Sequence, residues 1–165
     1  MEHMETIIKP TPPFNFDGTV YVPAYFPTPD FEWQRNVAWQ TLNLSGSLFG
    51  LKMENTGVTD DPEIKLTVFS VNRQTPEMME RIVEELNWRY GFNEDISEFL
   101  AQFKNDRFLK PVFKRWRGMR ANCANSLYEI MMISIVLQNS TVKRTTQMMN
   151  NLFNTYGSKL KFDDR

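Results

Sequence analysis

The chain has 165 residues, 41% of them hydrophobic and 24% charged, with a net charge of −1, one cysteine (Cys123) and one histidine (His3). These values suit one ordinary globular domain or two small ones sharing a core, and they exclude an internal disulfide or a zinc site built from Cys and His. No apolar run approaches the roughly 18 residues of a membrane span, and the start MEHMETIIKP is not a secretory signal, so the expected location is the cytoplasm or the chromosome.

In chain order, residues 1–13 are polar and end in KPTPP, which predicts an irregular lead-in with His3 in a frayed terminus. Asp17-Gly18 within FNFDGTVYV predicts a hairpin turn between aromatic-rich flanks. Pro23, Pro27 and Pro29 make AYFPTPDFEW a loop or an edge strand, since each proline removes a ladder donor. NVAWQTLNL, SLFGLKME and EIKLTVFSVN alternate as three strands, separated by Ser45-Gly46 and by NTGVTDDP. An antiparallel sheet of about four or five strands, one face covered by helices, accounts for this.

Thr75 caps and Pro76 opens a helix whose stripe is Met79, Ile82, Val83, Leu86 and Tyr90, and Gly91 ends it. A second helix, from about Asp95 to Lys104, carries Ile96, Phe99, Leu100 and Phe103. Asp106 caps a third, with Leu109, Val112, Phe113 and Trp116 inward and Pro111 in its first turns. Asn125 to Gly157 reads as a helical hairpin. Ser126 with Glu129 forms a capping box. Leu127, Ile130, Met131, Ile133, Ile135, Val136 and Leu137 then place apolar groups on almost every face, the pattern of a helix at the centre of a core. Gln138 and Asn139 interrupt it, Ser140 caps the next helix, Val142, Met149, Leu152, Phe153 and Tyr156 form that helix's stripe, and Gly157 ends it in the left-handed conformation. The class is therefore α+β: an N-terminal antiparallel sheet covered by a helix, followed by a helical segment.

Charge divides along the same line. Residues 1–103 hold 7 Lys or Arg against 16 Asp or Glu, and residues 104–165 hold 12 against 4, so −9 is followed by +8. A polyanion partner for the second part fits this asymmetry, as does a solvated helical surface.

Gly118-Met119-Arg120, then SLYEIMMISIVLQNSTVKRTTQMMNNLFNTYG, resembles the helix-hairpin-helix DNA glycosylase superfamily, in the branch containing 3-methyladenine and 8-oxoguanine glycosylases. The shared features are a Gly-apolar-Arg, an apolar-Glu, a buried helix ending in a polar pair, and a second helix closing on Tyr-Gly. The likeness runs through most of the chain but covers only the first half of the family's fold. It implies a TBP-like sheet domain over residues 1–91 and an incomplete glycosylase helical domain over residues 92–165.

The resemblance also implies roles. An enzyme acting on a base in duplex DNA rotates the nucleotide out of the stack, and a rigid protruding group can fill the gap. The residue matching Asn139 is the family's wedge, with Gln138 beside it facing the target nucleotide; by position alone, QNS is ordinary turn chemistry. Arg120 matches an arginine near the DNA in the family, where a guanidinium suits phosphate or a base edge, and by position is equally an ordinary surface residue. Lys143 and Arg144 open the second hairpin helix, where backbone N–H groups can meet a phosphate. Lys114, Arg115 and Arg117 are basic and clustered, yet serve equally as the solvent face of the helix bearing Trp116. Phe99, Phe103, Phe113 and Trp116 fall at core spacing and are read as packing.

Glycosidic cleavage needs a carboxylate, or in bifunctional enzymes a lysine nucleophile. The family carries both beyond the Tyr-Gly ending, with a Gly-apolar-Gly turn that grips phosphate. That turn does not occur in this sequence, and Asp163 and Asp164 are wrongly placed to be the family aspartate. No catalytic residue, metal or cofactor is assigned. The expected function is the N-terminal part of a base-excision-repair glycosylase acting on double-stranded DNA with a damaged base. Its catalytic half is expected outside these residues, through truncation or on a second chain, and self-association is the other expected partnership. The alternative is a noncatalytic nucleic-acid or protein-binding module on a glycosylase-like scaffold.

Overall fold

The computed structural model describes residues 1–21, 29–73, 75–123 and 126–165. The order is β1 (Glu2–Ile8), α1 (Phe16–Val20), β2 (Phe31–Gln34), β3 (Val37–Leu44), β4 (Ser47–Asn55), β5 (Ile64–Ser70), α2 (Pro76–Tyr90), α3 (Ser97–Phe103), α4 (Leu109–Trp116), α5 (Leu127–Leu137) and α6 (Val142–Tyr156). The fold is α+β. One antiparallel sheet of five strands runs β1-β5-β4-β3-β2.

Register decides what each face of the sheet does. Ala38, Gln40 and Leu42 of β3 lie opposite Met53, Leu51 and Phe49 of β4, and Leu66 and Val68 of β5 continue the row. This face packs under α2, whose Met79, Ile82, Leu86 and Tyr90 are buried, and Tyr90 Oη donates to Gln40 Oε1 at 2.9 Å. Leu51, Met53, Ile64, Leu66, Val68, Ile82 and Leu86 are wholly buried, each contributing about 1.5–3 kcal/mol. Thr75 accepts from the Met78 N–H at the start of α2, and Gly91 ends the helix at φ 61 and ψ 38, both as the sequence predicts.

Several expectations are corrected. Residues 2–8 are not a frayed lead-in: β1 pairs along its whole length with β5, and the His3 ring lies 6.0 Å from that of Phe69. Met4, Thr6 and Ile8 supply the inward alternation that KPTPP obscures. Asp17-Gly18 is not a hairpin turn. Asn15 accepts from the Gly18 N–H and caps α1, while Phe14, Phe16 and Val20 enter the core. Asp17 accepts instead from Trp33 Nε1 and the Asn36 N–H. Pro23, Pro27 and Asn125 lie outside the described residues; the chain after Pro29 forms β2, an edge strand.

In the helical layer, Asp106 Oδ1 accepts from the Phe108 and Leu109 N–H groups, so α4 begins after it. Phe99 packs against Phe103 and Phe113, but Val112 and Trp116 are exposed. The capping box of Ser126 and Glu129 is present. The centre of the core is not α5: only Val136 is buried there, and Leu127 is 74% and Ile135 61% exposed. Val136 and Met149 form a small second cluster between α5 and α6, with Ile133, Leu137, Leu152 and Phe153 around it. Thr141, not Ser140, caps α6. Gly157 is extended at φ −76 and ψ 153; its need for glycine is space, because a Cβ there would stand 2.4 Å from the Phe153 carbonyl oxygen.

Candidate nucleic-acid interface

The turn between α5 and α6 is three residues long before the Thr141 cap. The Gln138 N–H still donates to the Ile135 carbonyl at 3.2 Å, so the last turn of α5 holds its shape up to the break. Asn139 then reverses the chain at φ 50. Asparagine tolerates this left-handed region better than any β-branched residue. Thr141 accepts from the Arg144 N–H at 3.3 Å and starts α6. Gln138 and Asn139 are exposed at the tip, and Lys143 and Arg144 are exposed in the first turn beyond it.

Those two cations are at the wrong end of a helix for stability. The N-terminus of α6 carries the positive end of its macrodipole, where a cation costs about 0.3–1 kcal/mol. Among the described residues neither lies within 4.0 Å of a carboxylate. An exposed tip of two amides with unpaired cations and free helical N–H groups behind it can hydrogen-bond a base edge and attract a phosphate.

Arg120 is placed differently. It is 3% exposed, and its guanidinium donates to the carbonyls of Gly118, Thr11 and Glu94 at 3.2, 3.2 and 2.8 Å. The Phe14 ring lies beneath it, and Glu94 Oε2 stands 3.8 Å from Nε. Burial pushes its pKa down, opposed by the charges of Glu94 and Asp95. It is buried, not the ordinary surface residue that its position alone allows. Gly118 explains why: at φ 83, a Cβ there would lie 2.9 Å from the backbone of residues 13–15. Only glycine brings the chain that close, and the approach seats Arg120 among the carbonyls. Further bonds extend this seam, from the Asn15 N–H to the Gly118 carbonyl, from the Arg120 N–H to Thr19 Oγ1, and from the Cys123 N–H to the Arg89 carbonyl. Arg117 is also committed, paired with Asp60.

A second anchor does not follow from the predicted elements. Residues 162–165 fold back onto the sheet face opposite α2. Phe162 is buried over Gly50, where a Cβ would meet its ring at 2.4 Å, and against Phe69 at 5.4 Å. Asp163 accepts from Trp39 Nε1 at 2.7 Å and pairs with Lys52 at 3.2 Å. Arg165 stacks on Trp39 and pairs with Glu32. Asp163 is thus engaged on the sheet. The signal for it lies in the alternation that puts Trp39, Lys52 and Gly50 on one face, beside a tail of aromatic, acidic and basic residues.

No family model matches this chain, and no curated protein matches it in sequence. Among solved structures it is similar to the 3-methyladenine DNA-glycosylase from Archaeoglobus fulgidus, with a TM-score of 0.71 and 15% identity. The match covers 97% of this chain and 53% of that one, so the chain spans about half the length of its structural neighbour. At that identity the likeness establishes the fold. No described helix is long and apolar enough to cross a membrane.

Proposed function

We propose that this chain is the DNA-recognition part of a base-excision glycosylase, with a sheet domain at residues 1–91 and the opening segment of the helical domain at residues 92–165. Asn139 acts as a wedge in the gap left by an everted nucleotide, Gln138 faces that nucleotide, and Lys143 and Arg144 draw the phosphate backbone to the tip. The observation that carries this reading is the exposed, left-handed Asn139 at the end of a tight helical hairpin, on a fold shared with a DNA glycosylase over 97% of the chain. Arg120 contributes from within, by tying the segment before α5 to α1 and to the residues after β1 and α2.

Glycosidic chemistry is supplied by a further segment or a second chain carrying the catalytic carboxylate or lysine. The exposed apolar side chains of α5, Leu127, Ile130, Met131 and Ile135 among them, are the surface on which that part packs. Without it they drive self-association.

The test is binding to a duplex with one abasic site against the intact duplex. The unmodified chain is expected to prefer the abasic duplex by about tenfold, roughly 1.4 kcal/mol. Asn139→Ala is expected to lose that preference with its unfolding midpoint unchanged. Equal affinity of the unmodified chain for both duplexes would favour a noncatalytic binding module instead.

A further inference from the structure

Between α3 and α4 lies an open cleft of about 680 Å³ that the hairpin does not use. Leu100, Pro111 and Phe113 line its floor, and Lys104, Arg107, Lys110 and Lys114 stand around it. Residues 104–117 hold six Lys or Arg and one carboxylate, Asp106, which is spent on the N–H groups of Phe108 and Leu109. Arg117, at the edge, is neutralised by Asp60. The other four cations of the cleft are exposed, and among the described residues none has a carboxylate within 4.0 Å.

Such a cluster opposes the fold. Lys110 and Lys114 are like charges one turn apart on α4, and Lys110 sits at the positive end of that helix. The four exposed side chains line an open cleft rather than an enclosed pocket, which suits a linear polyanion better than a small anion. Lys110 to Lys114 spans about 6 Å of helix, and Lys104 and Arg107, between α3 and α4, line the same cleft. One DNA strand rises about 3.4 Å per phosphate, so cations spaced as Lys110 and Lys114 are can meet neighbouring phosphates of one strand.

We propose that this cleft is a second DNA contact, a track for the phosphodiester backbone of duplex DNA that carries affinity without lesion selectivity. It rests on the nucleic-acid reading above but is carried by different residues. Lys104, Lys110 and Lys114 hold successive phosphates, and the apolar floor receives the aliphatic stems of those lysines and the sugar edges.

The test is the salt dependence of binding to a labelled, undamaged duplex. In Lys104→Gln/Lys110→Gln/Lys114→Gln, the slope of log affinity against log salt is expected to fall in magnitude by about 2–3, from about 0.9 per phosphate contact. Each single substitution is expected to remove about a third of that. A control, Lys9→Gln/Arg35→Gln/Arg73→Gln, removes the same charge from exposed positions elsewhere and is expected to change the slope by less than about 1. Equal changes in both triple variants would overturn the cleft while leaving the hairpin reading intact. A cleft variant with reduced affinity but an unaltered preference for abasic duplex supports the separation of the two contacts. No salt-dependent binding by the unmodified chain would overturn both.

Discussion

Arg120, a candidate for contacting DNA by its place in the sequence, is instead a staple inside the protein. Nothing local in Gly118-Met119-Arg120 distinguishes the two, because the carbonyls it serves come from Thr11 and Glu94, remote in sequence. Arg120→Ala is expected to destabilise the fold by about 3 kcal/mol or more, since buried carbonyls lose their donors, and Arg120→Lys to restore little because an ammonium cannot reproduce the fork; urea unfolding measures both. Thr145 predicts the opposite sign. It is fully buried and among the described residues its Oγ1 has no partner, so Thr145→Val is expected to raise stability by up to about 1 kcal/mol in the same measurement. Asp163 adds a pH dependence. The Trp39 indole N–H, then Lys52 and Arg165, hold its carboxyl below the ordinary aspartate value against partial burial; Glu54 lies beyond Lys52, and Glu32 beyond Arg165. A carboxyl lowered in the folded chain stabilises it above the unfolded pKa, and that stability is lost as pH falls through the folded value. The difference in unfolding free energy between the unmodified chain and Asp163→Asn is therefore expected to be constant above about pH 5 and to close as pH falls below about 4. By contrast, Gln138, Asn139, Lys143 and Arg144 can be located from sequence alone, because a polar pair between two apolar periodic runs fixes its own position at a turn.

Among the elements, those with strong local signals are legible. α2 carries its cap, first-turn proline, stripe and terminal glycine within its own residues. β4 and β5 carry an apolar row, Phe49, Leu51 and Met53 and Ile64, Leu66 and Val68, at every second residue. β1 is hidden because its partner β5 is some sixty residues away and its outward face, with His3 and Glu5, looks like a polar leader. α1 is hidden because Asp17-Gly18 carries a stronger hairpin signal than Asn15 carries as a cap. α5 misleads for a different reason. Apolar groups all round specify a buried helix, yet the described residues cover only the side facing α6. The sequence of α5 is written for more cover than these elements supply. The tail contact can be tested as an element. Gly50→Ala drives a methyl into the Phe162 ring and is expected to cost about 1–3 kcal/mol, whereas in a Phe162→Ala background it is expected to cost little. A double-mutant cycle in urea should return a coupling above about 1 kcal/mol; additive effects would mean the tail does not dock on the sheet.

At the scale of the molecule, the hairpin of α5 and α6 carries its exposed tip at Gln138 and Asn139. Arg120, ahead of α5, is bonded to Thr19 of α1 and to Glu94 after α2, and Phe162 and Asp163, beyond α6, dock on the sheet. The eleven residues of α5 carry the turn about 16 Å from that helix's start. In the proposed complex Asn139 is the part of the hairpin that enters the duplex, where the gap left by an everted base is narrow and unstacking costs a few kcal/mol. Charge follows the same division, and in the proposed complex the acidic sheet half faces away from DNA and the basic helical half, +8 over residues 104–165, faces it. The most direct test of the wedge places 2-aminopurine, whose emission rises on unstacking, beside an abasic site in a duplex and titrates it with the unmodified chain and with Asn139→Ala. Emission is expected to rise several-fold with the unmodified chain and to stay near that of free duplex with Asn139→Ala at saturating protein; an equal rise with both proteins, or none with either, would contradict the wedge.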